Sequence, residues 1–392
     1  MDGQQIGIIA LVKSALTGEK AEISENFDWD NALNTAKKHQ ILPMLYYGVQ
    51  YSGITPPAEI MQFLELATFK NISVSQNQLY ALEQIYKAFD ENKIDYMPLK
   101  GSVLKFVYPK PEMRPMGDAD ILIRQEQYEK IRILMQKSGF TEGRESSYDY
   151  SWDKPSTLHL ELHKHLVPVN YKDFYSYYDN PWRLAHNVKN NRYILNDEDN
   201  YIFIFTHYAK HYRARGIGIR HILDIYVFLS QNKNMNFSYI DKELEKMGLL
   251  KFYKNTIHTI NVWFGEEHAD PISDFITNKI FSSGSFGKSE YLNISNAVIT
   301  SKSAKSLRVI KFKQLFNMIF SPYSNMCLLY PCLKKIPVLL PIFWVVRAVY
   351  AVFNKRKRIG YHIKNLKSLT DNEISQYQDD LTYVGLDFNF KE

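Results

Sequence analysis

Two aspartates that lie two residues apart, Asp118 and Asp120, are the feature of this sequence with the clearest chemistry. They begin an apolar run that ends at Arg124 and predicts a β-strand. Side chains two residues apart on a strand point to the same side, so the two carboxylates would lie together. Such a pair repels unless a cation neutralises it, and hard divalent ions prefer oxygen ligands. The motif predicts a divalent-metal site, with a solvated strand edge or turn as the alternative if it stood alone.

A third carboxylate comes from a second strand candidate, the strictly alternating run Leu158 to His163. The alternation places Glu161 on the same side as His159 and His163. We expect Glu161 to complete the metal site with the two aspartates and to take part in catalysis with them. His163 is a candidate substrate-binding residue, and a buried histidine with satisfied hydrogen bonds is the alternative.

A phosphate-binding turn is predicted upstream, where Gly101 and Ser102 lie between a short apolar strand and a helical stretch that reaches Val107. Backbone N–H groups at such a position can bind phosphate without a side chain in the way. A Gly-Ser pair by itself is a weak signal. The Gly-Ser pair is informative here because the acid pair follows it on the next predicted strand.

Positive charge is brought to the same neighbourhood by Lys100 and Arg114. We expect both side chains to bind phosphate groups together with the Gly-Ser turn. The alternatives are a solvated strand end for Lys100 and, for Arg114, an ion pair with Glu112 or Asp118.

A further group of polar residues lies on two predicted helices after Pro181. His207 and His211 are four residues apart and share a helix face, a spacing that can hold one metal ion. The zinc-peptidase pattern does not apply, because no Glu follows His207. We expect a substrate pocket shaped by His207, Lys210, His211, Arg220 and Asp224, with a satisfied or partner-facing histidine pair as the alternative.

The elements that position these residues divide the chain into four regions. Hydrophobic residues at intervals of three and four predict helices before residue 92 and again after Pro181. Short apolar runs, a helix and a hairpin between them predict a compact α/β unit. The predicted fold class is α+β, with a small mixed-sheet core flanked by helical regions. The regions are an N-terminal helical region 1–92, the core 93–180, a helical bundle 181–270 and a C-terminal extension 271–392.

The C-terminal extension contains an apolar segment, Ile336 to Phe353, with basic residues on both sides. Pro337, Pro341 and Arg347 are unfavourable in lipid. A buried helix is therefore favoured, and a membrane span and a helix resting on an anionic bilayer are the alternatives. The basic residues upstream predict a solvated helix face, because no stacking aromatics alternate with them as in an RNA-binding surface. These residues are Lys302, Lys305, Arg308, Lys311 and Lys313.

The composition permits an anionic substrate without requiring a nucleic-acid partner, since the formal net charge is only +6. Cys327 and Cys332 are the only cysteines and predict buried thiols in a reducing compartment rather than a zinc site. The N-terminal residues lack the basic start and cleavage site of a signal peptide, which predicts a cytoplasmic location.

The runs LKGSVLKFVY and RPMGDADILI resemble the bacterial family of uncharacterised nucleotidyltransferases, a branch of the DNA polymerase beta-like superfamily. The resemblance extends through HLELHKHL, THYAKH and HILDIY to YPCLKKIPVLLPIFWVVR, and so covers about Asp28 to Arg347. It implies the helix-opening Gly-Ser, the acid pair and the third carboxylate of that superfamily. Here these are Gly101, Ser102, Asp118, Asp120 and Glu161.

This resemblance implies an enzyme that transfers a nucleoside monophosphate from an NTP to a hydroxyl group and releases pyrophosphate. It implies a two-ion Mg²⁺ site at the three carboxylates, with Mn²⁺ as an alternative ion. The acceptor stays open between a small molecule, a sugar, a peptide and a protein, and nucleic acid is not expected. Two other functions stay open: a catalytically weak module that binds a nucleotide for regulation, and a peripheral protein at the inner face of the membrane in an envelope-polymer pathway.

Overall fold

In the computed structural model the chain begins with four helices, α1 (Gly3–Thr17), α2 (Trp29–His39), α3 (Leu42–Ser52) and α4 (Ala58–Glu91). The residues described are 1–285, 287, 292, 294, 295, 298 and 307–387. Asp2 begins α1, because its side chain accepts from the Gln5 N–H while the Gln5 side chain accepts from the Asp2 N–H. The helical opening segment predicted from hydrophobic periodicity is thus present.

A seven-stranded mixed sheet follows. Its strands are β1 (Tyr96–Leu99), β2 (Ala119–Ile123), β3 (Thr141–Glu145), β4 (Asp149–Lys154), β5 (Leu158–His163), β6 (Ala185–Lys189) and β7 (Arg192–Leu195). They lie in the order β3-β4-β5-β2-β1-β7-β6, and β2 pairs antiparallel with β1 and parallel with β5. All five residues of β2 are buried, because one hydrophobic core covers Leu122 and another covers Ile121. The predicted α+β fold with a small mixed sheet is confirmed.

The helices within the sheet region are short: α5 (Gly101–Leu104), α6 (Tyr128–Lys137) and α7 (Lys172–Tyr175), with 3-10 turns at Pro111–Met113 and Gln125–Gln127. The helical stretch predicted to reach Val107 continues beyond Leu104 only as turns. Pro109 and Pro111 follow closely and favour extended or turning backbone there.

The hairpin of β6 and β7 corrects the prediction that the chain returns to helix after Pro181. The two strands pair antiparallel, and Arg192 of β7 lies beside Tyr96 of β1 in a parallel pair. Four of the five residues of β6 are exposed. A strand with both faces largely in solvent lacks the alternation of apolar and polar residues on which strand prediction depends.

Five helices form a bundle after the sheet: α8 (Asp197–Ala214), α9 (Ile219–Gln231), α10 (Phe237–Lys246), α11 (Leu250–Phe264) and α12 (Pro271–Ser283). Their buried residues, such as Phe205 and Ile222, share one hydrophobic core with Leu11 of α1 and Leu45 of α3. The N-terminal helices and the bundle therefore pack against a common hydrophobic core. The division of the chain into four regions stays a prediction.

The C-terminal part contains α13 (Leu307–Ile319), α14 (Tyr323–Leu329), α15 (Leu340–Asn354), α16 (Arg356–Ser368) and α17 (Asp371–Val384), with 3-10 turns at Pro331–Lys334 and Pro337–Leu339. The prediction of a buried apolar helix is wrong, because α15 contains no buried residue. Within the described residues, one helical stretch, Pro337–Asn354, is long and apolar enough to cross a membrane, with mean hydropathy 1.6.

The two cysteines differ. Cys327 is buried as predicted, whereas Cys332 is exposed. Leu333 takes the buried position in the turn that contains Cys332, so the thiol points outward. Of the predicted basic helix face, Lys302 and Lys305 lie outside the described residues.

Candidate active site

Asp120 and Glu161 lie next to each other on neighbouring strands. The parallel pairing of β2 and β5 sets Asp120 opposite Glu161. His163, two residues further along β5, has its Nε2 2.6 Å from Asp120 Oδ1 and 3.7 Å from Glu161 Oε2. One nitrogen or oxygen atom from each of the three side chains lies within 4.8 Å of the other two. This cluster, Asp120, Glu161 and His163, has the spacing of a metal site.

Asp118 lies at the edge of this cluster. The strand β2 begins at Ala119, so Asp118 belongs to the bend before it, where its side chain is exposed and lines the same cavity. The prediction that both aspartates lie on one strand is therefore corrected. The physical reason is that Asp118 has no strand partner among the residues described: the pairing of β2 with β1 ends at Asp120, and its pairing with β5 begins at Ala119, opposite Leu160.

The carboxylates concentrate negative charge at this end of the sheet. Burial, followed by the charges of Asp120 and Asp118, raises the pKa of Glu161 to about 7. Burial alone would also raise the pKa of Asp120, but Lys100 and then His163 hold that pKa below its usual range. A cation bound between the carboxylates would relieve the repulsion that Glu161 experiences.

Lys100 supplies part of that positive charge in the protein itself. Its Nζ donates to Asp120 Oδ1 at 2.6 Å, and both side chains are almost fully buried. Burial would lower the pKa of Lys100, but the charge of Asp120 outweighs it and raises the pKa above its usual value. The backbone of Lys100 has φ +47°, a conformation that L-residues with a side chain rarely adopt. Such strain is kept where the surrounding structure requires it, as at functional sites.

The donor set fits a hard divalent ion. Lys100 Nζ and His163 Nε2 both bond to Oδ1 of Asp120, and within the described part of the chain Oδ2 has no hydrogen-bond partner. His163 Nε2 donates to Asp120, because an ionised carboxylate can only accept, and burial lowers the pKa of His163, which favours the neutral ring. The atoms left for an ion are carboxylate oxygens, from Asp120, Glu161 and the nearby Asp118, which suits Mg²⁺ or Mn²⁺.

Gly101 and Ser102 occupy different environments. Gly101 lines the cavity, and a Cβ there would lie 2.9 Å from Arg114 Nη1 and 3.0 Å from Met116 Cγ, so a side chain at this position would displace Arg114 or Met116. Ser102 is buried, and its hydroxyl donates to the Asp120 carbonyl at 3.2 Å. The Ser102 side chain therefore ties α5 to β2. Phosphate binding by this turn stays a prediction.

Arg114 is bound by an acid from the helical bundle. Its Nε and Nη2 donate to the two oxygens of Asp224 at 3.1 and 2.9 Å, and Tyr108 donates to the same carboxylate at 2.8 Å. Its partner is thus neither Glu112 nor Asp118, the two acids nearest in sequence. Glu112 instead accepts from Tyr47. The charge of Arg114 is compensated by Asp224, which fixes the proline-rich loop against α9.

Three histidines line the opposite side of the cavity. The ring centroids of His207 and His211 on α8 are 4.4 Å apart, and those of His211 and His221 on α9 are 5.8 Å apart. Burial, then the neighbouring positive charges, lowers the pKa of His207 and of His211 well below the usual value. Burial likewise lowers the pKa of His221 to about 3. These rings are therefore neutral at pH 7 and can donate or accept hydrogen bonds.

Lys210 and Arg220 add positive charge to this helical wall. Lys210 is 9% exposed, lines the cavity, and makes no hydrogen bond or ion pair with the residues that the structure describes. Burial, followed by the charge of Lys100, lowers its pKa to about 7. Arg220 donates to the Gln40 side chain and to the Pro115 carbonyl. A charged lysine that is buried without an acidic partner lowers the stability of the folded protein unless an anion binds beside it.

A cavity of about 330 Å³ separates the two sides. The carboxylate cluster, Asp118 and Lys100 form one side, and the helical wall with Lys210 and the histidines forms the other. This volume lies near the lower end of the range for small-molecule sites, roughly 300–1,000 Å³. Negative and positive side chains thus face each other across a space suited to a small polar ligand.

Among the lining residues that sequence reasoning missed are Tyr148, Arg215 and His221. The ring of Tyr148 packs edge-on against His163 with centroids 4.5 Å apart, and its hydroxyl donates to the Leu166 carbonyl. Tyr148 stands just before β4 without a local pattern that signals it. A signal was available for His221, which lies three residues before Asp224 on the same face of α9.

Comparison with protein families matches residues 25–265 to the family described as uncharacterised nucleotidyltransferase. The matched residues extend from before α2 to the end of α11 and include both sides of the cavity. The C-terminal part of the predicted resemblance, up to Arg347, lies outside them. No curated protein and no solved structure matches the chain.

Proposed function

Because this chain belongs to the uncharacterised nucleotidyltransferase family, we propose that it transfers a nucleoside monophosphate from an NTP to a hydroxyl group of an acceptor, using Mg²⁺ and releasing pyrophosphate. The observation that carries this proposal is the register that pairs Asp120 with Glu161 at one side of a cavity whose other side is cationic. In a metal-bound triphosphate, the metal ion would face the carboxylates and the phosphates would face the cationic side. The acceptor class is left to experiment.

The carboxylates of Asp120, Glu161 and Asp118 would hold the ion. Bound there, it would neutralise the triphosphate and stabilise the charge that develops on the leaving pyrophosphate. Lys100 and His163 fix the orientation of Asp120 through its Oδ1. Their role in this proposal is to position Asp120, since a ligand held in one rotamer loses less entropy on binding.

The transfer itself needs a bond from the acceptor oxygen to the α-phosphorus and loss of the bond between that phosphorus and the leaving pyrophosphate. The proton of the acceptor hydroxyl passes to Glu161, whose carboxylate is partly exposed to the cavity. In-line displacement of this kind depends on positioning and on electrostatic stabilisation more than on covalent chemistry by the protein.

The phosphates of the donor would lie against the helical wall. Lys210 is the cation best suited to contact them, because it has no acidic partner in the described part of the chain. An anion beside Lys210 would raise its pKa and keep it charged at pH 7. His207 and His211, neutral in the protein alone, would serve as hydrogen-bonding groups.

A second function is favoured by one specific contact. Lys100 already neutralises Asp120 at 2.6 Å, in the way that a metal ion would. A protein that compensates its own acid cluster in this manner is suited to bind a nucleotide for regulation without turning it over. This alternative predicts NTP binding that needs no divalent ion.

The test is transfer of label from α-³²P-labelled NTPs, offered one at a time with Mg²⁺, into an extract of the source cells. Asp120→Asn and Glu161→Gln are compared with wild type. Asp153→Asn is the matched control, because Asp153 is a strand carboxylate that bonds His159 away from the cavity. Thermal unfolding of every variant checks that it is folded.

We expect Asp120→Asn and Glu161→Gln to lose at least about 100-fold in labelling, since residues that only support metal ligands already cost 10- to 100-fold. Asp153→Asn should label like wild type. Lys210→Met should raise the KM for NTP more than it lowers kcat. Equal labelling by wild type and Asp120→Asn would refute the catalytic proposal, and metal-independent NTP binding without labelling would support the regulatory one.

A further inference from the structure

The helix α15 carries a continuous apolar stripe that faces solvent. The stripe is formed by Ile342, Val345, Val349 and Val352, spaced three or four residues apart, and by Phe353, four residues after Val349; Val345 is 63% and Phe353 81% exposed. We infer that this stripe, called here the outer face, docks α15 on the surface of an anionic lipid bilayer. The inference is independent of the proposed catalysis, because α15 lies outside the family-matched residues.

The opposite face of α15 is bound to the protein. Trp344 Nε1 donates to the Ser321 carbonyl at 2.8 Å, and Arg347 Nη1 donates to the Met318 carbonyl at 2.9 Å. The ring of Phe343 packs on Tyr330 with centroids 4.6 Å apart. Arg347, the residue whose charge argued against lipid contact, is therefore turned toward α13 and away from the outer face. What remains on the outer face is aliphatic and aromatic.

This arrangement favours a helix that lies in the membrane surface over one that crosses it. The 18 residues of Pro337–Asn354, the stretch whose length permits a crossing, span roughly 27 Å and so only approach the roughly 30 Å of a bilayer's hydrocarbon core. A crossing helix would also have to give up the carbonyl contacts of Trp344 and Arg347 within lipid. A surface helix keeps both contacts and immerses only its apolar face.

The charge of this region selects anionic lipid. The sequence contains no Asp or Glu between Glu290 and Asp371, whereas Lys and Arg recur throughout that stretch. Exposed lysines and arginines stand at both ends of the apolar segment, at 334–335 and 355–357. Basic residues beside a membrane-immersed helix attract anionic headgroups, an interaction that salt weakens. A protein partner with an apolar groove would not require this uninterrupted positive charge.

The test is co-sedimentation of the full-length protein with vesicles of phosphatidylcholine alone or of phosphatidylcholine and phosphatidylglycerol in equal parts. Val345→Glu and Val349→Glu alter the outer face at exposed positions and so spare the packing. Leu66→Glu on α4 is the matched control, since Leu66 is as exposed as Val345 but lies far from α15 in the chain. Light scattering without lipid measures self-association.

We expect wild type to bind the anionic vesicles, to bind phosphatidylcholine weakly, and to be released by high salt or alkaline carbonate. Each outer-face variant should weaken vesicle binding about tenfold or more, because it puts a charge where the bound protein would immerse an apolar side chain in lipid. Leu66→Glu should bind like wild type. Absence of vesicle binding, retention after carbonate, or a lipid-free dimer that Val345→Glu dissociates would each overturn the inference.

Discussion

Replacing Lys100 with Met tests whether the carboxylate cluster is a cation site. Lys100 Nζ lies 2.6 Å from Asp120 Oδ1, with the two side chains 12% and 6% exposed. Methionine keeps the length of the side chain and removes its charge. Without metal, the variant should be destabilised, because Asp120 and Glu161 then lack their main positive neighbour. A divalent ion should restore stability by taking the place of the missing charge.

The magnitude follows from the burial of the pair. Removing one partner of a buried ion pair costs roughly 3–5 kcal/mol, and the lower end applies here since His163 still donates to Asp120. For a chain of 392 residues, a loss of roughly 3–5 kcal/mol lowers Tm by roughly 4–6 °C. An ion present at about 100 times its Kd returns about 2.7 kcal/mol, most of the loss. Wild type should gain less, because the charge of Lys100 opposes the ion.

The assay is thermal unfolding followed by circular dichroism, first in EDTA and then with excess Mg²⁺ or Mn²⁺. Lys164→Met is the control: Lys164 is also buried and pairs at 2.8 Å with Glu145 of β3, which lies two strands from β5 in the sheet. Lys164→Met should be less stable than wild type, and adding metal should not restore its Tm. If metal raises the Tm of Lys100→Met no more than that of Lys164→Met, the cluster is not a cation site.

Two further changes test how the site is held. His39 accepts from the Ile219 N–H at 3.1 Å, and burial lowers its pKa to about 4. At His39 the unfolded chain takes up a proton near pH 6.5 and the folded chain only near 4, so this residue should lower the free energy of unfolding below pH 6.5, by roughly 2 kcal/mol at pH 5, in addition to the loss from His207, His211 and His221, whose pKa values burial also lowers. His39→Gln should remove that share and make the pH dependence of the unfolding curves less steep, and an unchanged slope would contradict it. Asp224→Asn should cost roughly 3 kcal/mol in denaturant unfolding, because it breaks the buried pair with Arg114. Glu129→Gln, in an exposed pair, should change stability little, and equal losses would refute the role given to Asp224.

The sequence predicted the acid cluster in part. Strand periodicity put Glu161 and His163 on one side of β5, where they lie. It did not reveal that β2 starts at Ala119, because the start of a strand depends on its partners, and here the pairing with β5 begins at Ala119 while β1 ends opposite Asp120. Nor did it reveal that Lys100 binds Asp120, since that contact depends on the unusual backbone of Lys100.

The hydrophobic residues of the sequence predicted where helices lie, but not whether a helix is buried or exposed to solvent. The apolar segment around α15 was expected to be buried, because average hydropathy is the same for a core helix and a surface helix. The position of its polar side chains carried more information. Trp344 and Arg347 are three residues apart and share the face that packs on the protein, which leaves the opposite stripe exposed.

The pair Arg114–Asp224 shows why the cavity could not be predicted from local sequence patterns. The two residues are 110 positions apart, and either of two nearer acids would have satisfied Arg114 equally well. Only the packing of α9 against the proline-rich loop selects Asp224, and that packing depends on a core shared by the N-terminal helices and the bundle. The carboxylates come from the sheet and the unpaired Lys210 from the bundle, so neither segment forms the cavity alone. The family match spans both segments, which is what a function located between them requires.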